Sequence, residues 1–135
     1  MPNLQPQVKQ EQMSLKALFE PQSVAIVGAS SNPARIGGRP IAYYLAAGFK
    51  GGLYPVNPNR DQVQGLKAYP DIASIPVPVD LAILAITANT VVDTIQACGE
   101  KGVKAIILFS SGFSELILDF MELSGTPNLM NFIRF

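Results

Sequence analysis

Residues 23–38 read SVAIVGASSNPARIGG, and this stretch decides the fold. Ser23-Val24-Ala25-Ile26-Val27 is an apolar run without charge, which predicts a strand buried on both faces, as in a parallel sheet. Gly28 ends the run. Ala29, Ser30, Ser31, Asn32 and Pro33 follow as a turn of small and turn-forming residues. Gly37, Gly38 and Pro40 then open a helix. A strand, a glycine turn and a helix start in succession offer free N–H groups and the positive end of a helix dipole to an anion. The spacing departs from G-x-G-x-x-G, because Ser30 and Pro33 occupy the second and third glycine positions. A tight βα turn in any doubly wound domain fits it equally well.

On either side of this stretch, strands and helices alternate. Upstream, Ser14 caps a short helix through Phe19 with Leu15, Leu18 and Phe19 inward, and Pro21 stops it. Downstream, a helix runs from about Arg39 to Ala47, with Ile41, Tyr44, Leu45 and Gly48 on one face. Residues 53–56 form a second strand, which Pro55 confines to an edge or a strand end. A turn-rich loop follows. Lys67-Ala68-Tyr69 is a candidate short strand, and Asp71 caps a helical turn through Ser74. Residues 80–86 (DLAILAI) and 104–109 (KAIILF) are two further buried strands. Between them Thr90 caps a helix from Val91 to Gly99, with Val91, Ile95 and Cys98 on one face. Strands alternating with helices in this way predict an α/β domain: a Rossmann-like, doubly wound parallel sheet with helices on both faces. Residues 1–14 read as a flexible N-terminal segment and 15–115 as the domain. Residues 116–135 read as a divergent or truncated tail, with Leu116, Phe120 and Leu123 lining a last helix and no closing strand.

Composition narrows the function. At 135 residues the chain is one domain. Its formal net charge is zero, so it carries no footprint for nucleic acid or an anionic membrane. No apolar run is long enough to span a bilayer, residues 1–14 lack the apolar core of a leader, and the default compartment is the cytoplasm. Cys98 is the only cysteine, and there is no histidine, which removes the commonest general base and the commonest metal ligand.

In an open parallel sheet, ligands bind beyond the carboxyl ends of the strands. Four turns fall there: residues 28–38, 57–60, 87–90 and 110–112. NAD-binding domains carry an acid at the end of the second strand; this chain has Asn57-Pro58-Asn59-Arg60. An arginine at that place favours a phosphorylated ribose, that of NADP or of coenzyme A (CoA). A solvated loop charge is the alternative. Arg35 and Arg39 flank the first loop, where either can meet a diphosphate. Cys98 is a small core residue, and Glu115 and Asp119, four residues apart, read as like charges on a solvated face ahead of an acid–base pair. No nucleophile, base and orienting group come together. The chain is equipped to hold a ligand and poorly equipped to transform one.

Three segments together carry a resemblance: SVAIVGASSNPARIGG, LYPVNPNRDQVQGLKAYPDIASIPVPVDLAILAI and CGEKGVKAIILFSSGFSE. In order and spacing they resemble the N-terminal CoA-binding domain of NDP-forming acyl-CoA synthetases, which include ADP-forming acetyl-CoA synthetases and related protein lysine acetyltransferases. The resemblance covers about Leu15 to Glu115. It implies that Gly28, Ala29, Ser30, Ser31, Asn32 and Pro33 receive the CoA phosphates. It implies that Asn57 and Pro58 shape the turn near the adenosine, with Arg60 near its phosphate. Thr87, Ala88 and Asn89 stand where the family has a Pro-Ala-Pro-like turn, both prolines being replaced. Ser110, Ser111 and Gly112 line the site towards the thiol. In the family, chemistry needs a phosphohistidine in a following domain and a separate ATP-grasp domain. The expected function is therefore binding of CoA or acyl-CoA, in company with further synthetase domains or subunits or as a homo-oligomer. Two other readings stand beside it: an NADP-binding domain of an oxidoreductase, and a non-enzymatic nucleotide-sensing module.

Overall fold

The computed structural model describes residues 16–109 and the backbone of 131–134. Strand β1 (Ser23–Val27) leads through helix α1 (Arg39–Ala46) to β2 (Gly52–Val56). A two-stranded hairpin, β3 (Gln62–Val63) and β4 (Leu66–Lys67), and a 3-10 turn (Ile72–Ser74) precede β5 (Leu81–Leu84). Helix α2 (Ala88–Lys101), β6 (Ala105–Leu108) and β7 (Asn131–Arg134) follow. The main sheet has the order β2-β1-β5-β6-β7, and every neighbouring pair in it is parallel. The chain winds outward from β1 to β2, then returns to the other side of β1 to place β5. The strand order reverses between β1 and β5, which is where such sheets open a crevice.

Side chains alternate across the sheet because successive Cβ atoms point to opposite faces. Val24, Ile26, Leu81, Ile83 and Ala105 meet Ile41 of α1 on one face. Ala25, Ala82, Leu84, Ile106 and Leu108 meet Val91, Ile95 and Cys98 of α2 on the other, beside Ile72 and Ile75. Both faces are buried along β1 and β5, which explains why these strands read as continuous apolar runs. Pro55 sits on β2, at the sheet edge. Its carbonyl points outward and accepts from Tyr69 N–H at 2.9 Å, so its missing N–H costs the inner ladder nothing.

The amino ends of the strands are stapled. Ser23 Oγ donates to Pro78 O at 2.9 Å and accepts from Asp80 N–H at 2.9 Å. The Asp80 carboxylate accepts from Gln22 N–H at 2.8 Å and pairs with Lys104 Nζ at 3.3 Å. These bonds tie β1, β5 and β6 together at the end opposite the crevice.

Several expectations change. Residues 16–19 are helical, but Phe19 is 75 % exposed and Ala17 takes the inner position. Ser14 and Leu15 lie outside the described residues. Leu45 is 45 % exposed, because α1 ends one residue later and only Ile41 reaches the core fully. Helix α2 begins at Ala88, not Val91; Thr87 holds the N-cap position, and Thr90, inside the first turn, donates from Oγ1 to Thr87 O at 2.9 Å. The loop after β2 contains the β3–β4 hairpin, and Tyr69 adds one parallel bridge to Val56. A closing strand exists: β7 pairs with β6 in parallel. The expected helix through Leu116, Phe120 and Leu123 lies outside the described residues. The Asp71 cap forms as expected, with Ser74 N–H and Oγ donating to Oδ1 at 2.8 and 2.6 Å. The Ser74 hydroxyl and N–H hold this carboxyl below its ordinary value.

Candidate ligand-binding site

The crevice between β1 and β5 is a cavity of about 840 Å³. The turn after β1 supplies Gly28 to Asn32 and Ala34 to Gly37. The end of β2 supplies Asn57 and Arg60, the end of β5 Ala85, Ile86 and Thr87, and the end of β6 Phe109. Gly28 sits at the switch point with φ +81°, and a Cβ there would stand 2.1 Å from Ala85 O. The two strand ends thus touch through a residue that must be glycine.

The first turn is held by a set of bonds. Asn57 Nδ2 donates to Ala29 O at 3.0 Å, and Ala29 N–H donates to Val56 O at 3.2 Å. Asn32 N–H donates to Ser30 Oγ at 3.1 Å, and Ala34 N–H to Asn32 Oδ1 at 3.0 Å. Arg39 Nη2 donates to Ala34 O at 3.1 Å, so Arg39 braces the loop and does not line the cavity. Gln64 Nε2 donates to Ser30 O at 3.0 Å and to Gly38 O at 2.9 Å. Among the described residues, the N–H groups of Ser31, Ile36 and Gly37 have no hydrogen-bond partner. All three residues line the cavity.

Among the described residues that line the cavity, the charged ones are Arg35 and Arg60, with no aspartate or glutamate. Neither makes an ion pair among the described residues. Two free guanidinium groups and three free N–H donors favour an anion with more than one charged group.

Of the residues expected from sequence, Gly28, Ala29, Ser30, Ser31, Asn32, Arg35, Asn57, Arg60 and Thr87 come together in this wall. Pro33 and Pro58 stand in the same turns, and Ala88 and Asn89 in the first turn of α2, without lining it. Asn89 instead accepts the Thr87 hydroxyl at 2.6 Å. Ser110, Ser111 and Gly112 lie outside the described residues. Sequence reasoning passed over Ala34, Ile36, Ala85, Ile86 and Phe109. The last three continue apolar strands, and their only signal was position at a strand's carboxyl end. Gln64 was also missed; its role needs the hairpin fold.

Cys98 is remote from the crevice. Burial pushes its thiol up to about 12. Burial thus suppresses the reactive thiolate and shields the sulfur from solvent. A disulfide-exchange reagent is therefore expected to react with the folded chain at least about tenfold more slowly than with the urea-unfolded chain. Comparable rates would contradict the buried placement.

A doubly wound sheet with a crevice at its switch point belongs to the class of α/β domains that take ligands beyond the carboxyl ends of their strands. A family model described as "CoA binding domain" matches residues 22–132, and the chain belongs to that family. It is 45 % identical over 101 residues to acetate–CoA ligase (ADP-forming) II of Archaeoglobus fulgidus, covering 75 % of this chain and 15 % of the relative. It is 40 % identical over 108 residues to the α subunit of acetate–CoA ligase (ADP-forming) I of Pyrococcus furiosus, covering 77 % and 23 %. The dinucleotide-forming acetyl-coenzyme A synthetase 1 of Ca. Korarchaeum cryptofilum, solved with phosphate and ADP, superposes with a TM-score of 0.80 at 35 % identity. That match covers 90 % of this chain and 27 % of the other. The chain thus spans less than a quarter of either curated relative. Among the described residues no helix is long and apolar enough to cross a membrane.

Proposed function

We propose that the chain binds CoA or acyl-CoA in the switch-point cavity and contributes no catalytic group to the chemistry that uses it. The observation that carries this reading is Arg60 at the end of β2, with no carboxylate partner among the described residues, in the same wall as Arg35 and the N–H groups of Ser31, Ile36 and Gly37. The first turn and Arg35 receive the diphosphate. Arg60 receives the 3′-phosphate of the ribose. Asn57 fixes the adenosine end by holding the turn from which Arg60 projects. CoA enters such a site as a substrate, not as a resident cofactor. Acid activation and acyl transfer fall to further synthetase domains or subunits, a division supported by the greater length of the relatives and by one of them being an α subunit.

Titration of the purified chain with CoA, dephospho-CoA, NADP and NAD by calorimetry tests the reading. The expected order places CoA first, with a clear loss on removing its 3′-phosphate. Tighter binding of NADP than of CoA would move the chain to the oxidoreductase class. Binding of none of the four would remove the proposed function.

A further inference from the structure

The geometry points to Gln64 as a positioning residue: from the β3–β4 hairpin it holds the anion-receiving turn in its binding shape. This inference rests on the CoA reading above, because it assigns Gln64 a part in that site.

Gln64 and Gly65 join β3 to β4 as a two-residue turn, and both have positive φ, 51° and 81°. This is the type I′ pattern, in which Asn-Gly is the favoured pair. Glutamine at the first position is therefore not the choice that the turn alone would make. Its side chain supplies the reason. One amide nitrogen donates to Ser30 O at 3.0 Å and to Gly38 O at 2.9 Å. Those carbonyls lie at the two ends of the loop after β1, eight residues apart in sequence. The bonds are part-buried, and they use both hydrogens of the amide. From within, Ser30 N–H reaches Gly37 O at 3.2 Å to join the loop's ends, while Arg35 N–H to Asn32 O at 3.1 Å and Gly38 N–H to Arg35 O at 3.0 Å hold its middle. With its end carbonyls bound outward, the loop keeps the N–H groups of Ser31, Ile36 and Gly37 free in the cavity wall. Asparagine is one methylene shorter and does not span the distance.

Gln64→Asn separates this role from a structural one. It gives the hairpin its preferred Asn-Gly turn while removing the brace. The melting temperature is expected to stay within a few degrees of the parent's, the better turn offsetting part of the lost hydrogen bonds. Affinities for CoA and dephospho-CoA are both expected to fall by about tenfold, the size of losing one or two partly buried hydrogen bonds. The ratio between the two ligands stays constant, because Gln64 acts on the diphosphate end. Amide exchange at Ser30, Arg35 and Gly38, whose N–H groups are bonded within the loop, is expected to accelerate in the ligand-free chain. Gln64→Gly gives the same losses, with a residue that accepts positive φ freely, and covers the case in which the asparagine variant misfolds.

Unchanged CoA affinity in folded Gln64→Asn overturns the inference, as does unchanged exchange of the three amides. If the parent chain binds no CoA while exchange in the variant accelerates, the CoA reading fails and the brace survives as a property of the loop.

Discussion

Arg60→Ala is expected to weaken CoA by roughly tenfold while leaving dephospho-CoA almost untouched. A guanidinium–phosphate hydrogen bond contributes about 1.5–3 kcal/mol, and each 1.4 kcal/mol is about tenfold in affinity. Arg60 is exposed, so the lower end of that range applies. The discriminating quantity is the ratio between the two ligands. In the parent chain CoA leads; in Arg60→Ala the lead falls to about one, since the only group distinguishing the ligands has lost its partner. Arg35→Ala behaves differently. It lies in the turn after β1, so it weakens both ligands and keeps the ratio. Rising salt narrows the parent's preference and leaves the Arg60→Ala ratio flat, because an exposed ion pair is screened. A preference for CoA that survives Arg60→Ala would falsify the assignment of the 3′-phosphate to this residue.

How much of this arrangement the sequence discloses depends on whether a residue acts through its own type or through its neighbours. The buried strands are legible because a sheet covered on both faces tolerates no charge, and SVAIV, LAIL and AIIL contain none. Pro55 marks the edge strand by the hydrogen bond it lacks. Arg60 is legible because strand order places the end of β2 beside the crevice. The β3–β4 hairpin is not legible. Its strands have two residues each, too few to show alternation, and Gln-Gly is a weak turn signal beside Asn-Gly. Gln64 inherits that obscurity, since its partners Ser30 and Gly38 are remote in sequence. The start of α2 is misread for a local reason. Thr87 and Thr90 are both good N-cap types, and Thr90 directs its hydroxyl to the Thr87 carbonyl from inside the helix. β7 is missed because only Phe132 and Ile133 are apolar in Asn131–Arg134, as suits the outermost strand of the sheet.

The other large effect falls on Gly28. Two costs meet there. Its φ of +81° is left-handed, which costs a residue with a Cβ about 1–2 kcal/mol. The added Cβ would also lie 2.1 Å from Ala85 O and 2.9 Å from Ala85 C. That obstacle is backbone, fixed in turn by Ala85 N–H donating to Val27 O at 2.9 Å. Relief requires β1 and β5 to part at their carboxyl ends, an overpacking cost of about 1–3 kcal/mol. Gly28→Ala is therefore expected to lose roughly 2–5 kcal/mol in urea unfolding, a large share of the ~5–15 kcal/mol that holds a typical domain. The shift should appear in the midpoint, with the slope unchanged. Gly65→Ala is the internal control. It has the same φ of +81°, and a Cβ there would meet nothing within 4 Å, so it carries the conformational cost alone, about 1–2 kcal/mol. The difference between the two variants measures how tightly the crevice is closed at the switch point. Equal losses would mean that the ends of β1 and β5 yield freely, and the wall that presents Ser31, Ile36 and Gly37 to an anion would then be too soft to hold them in place.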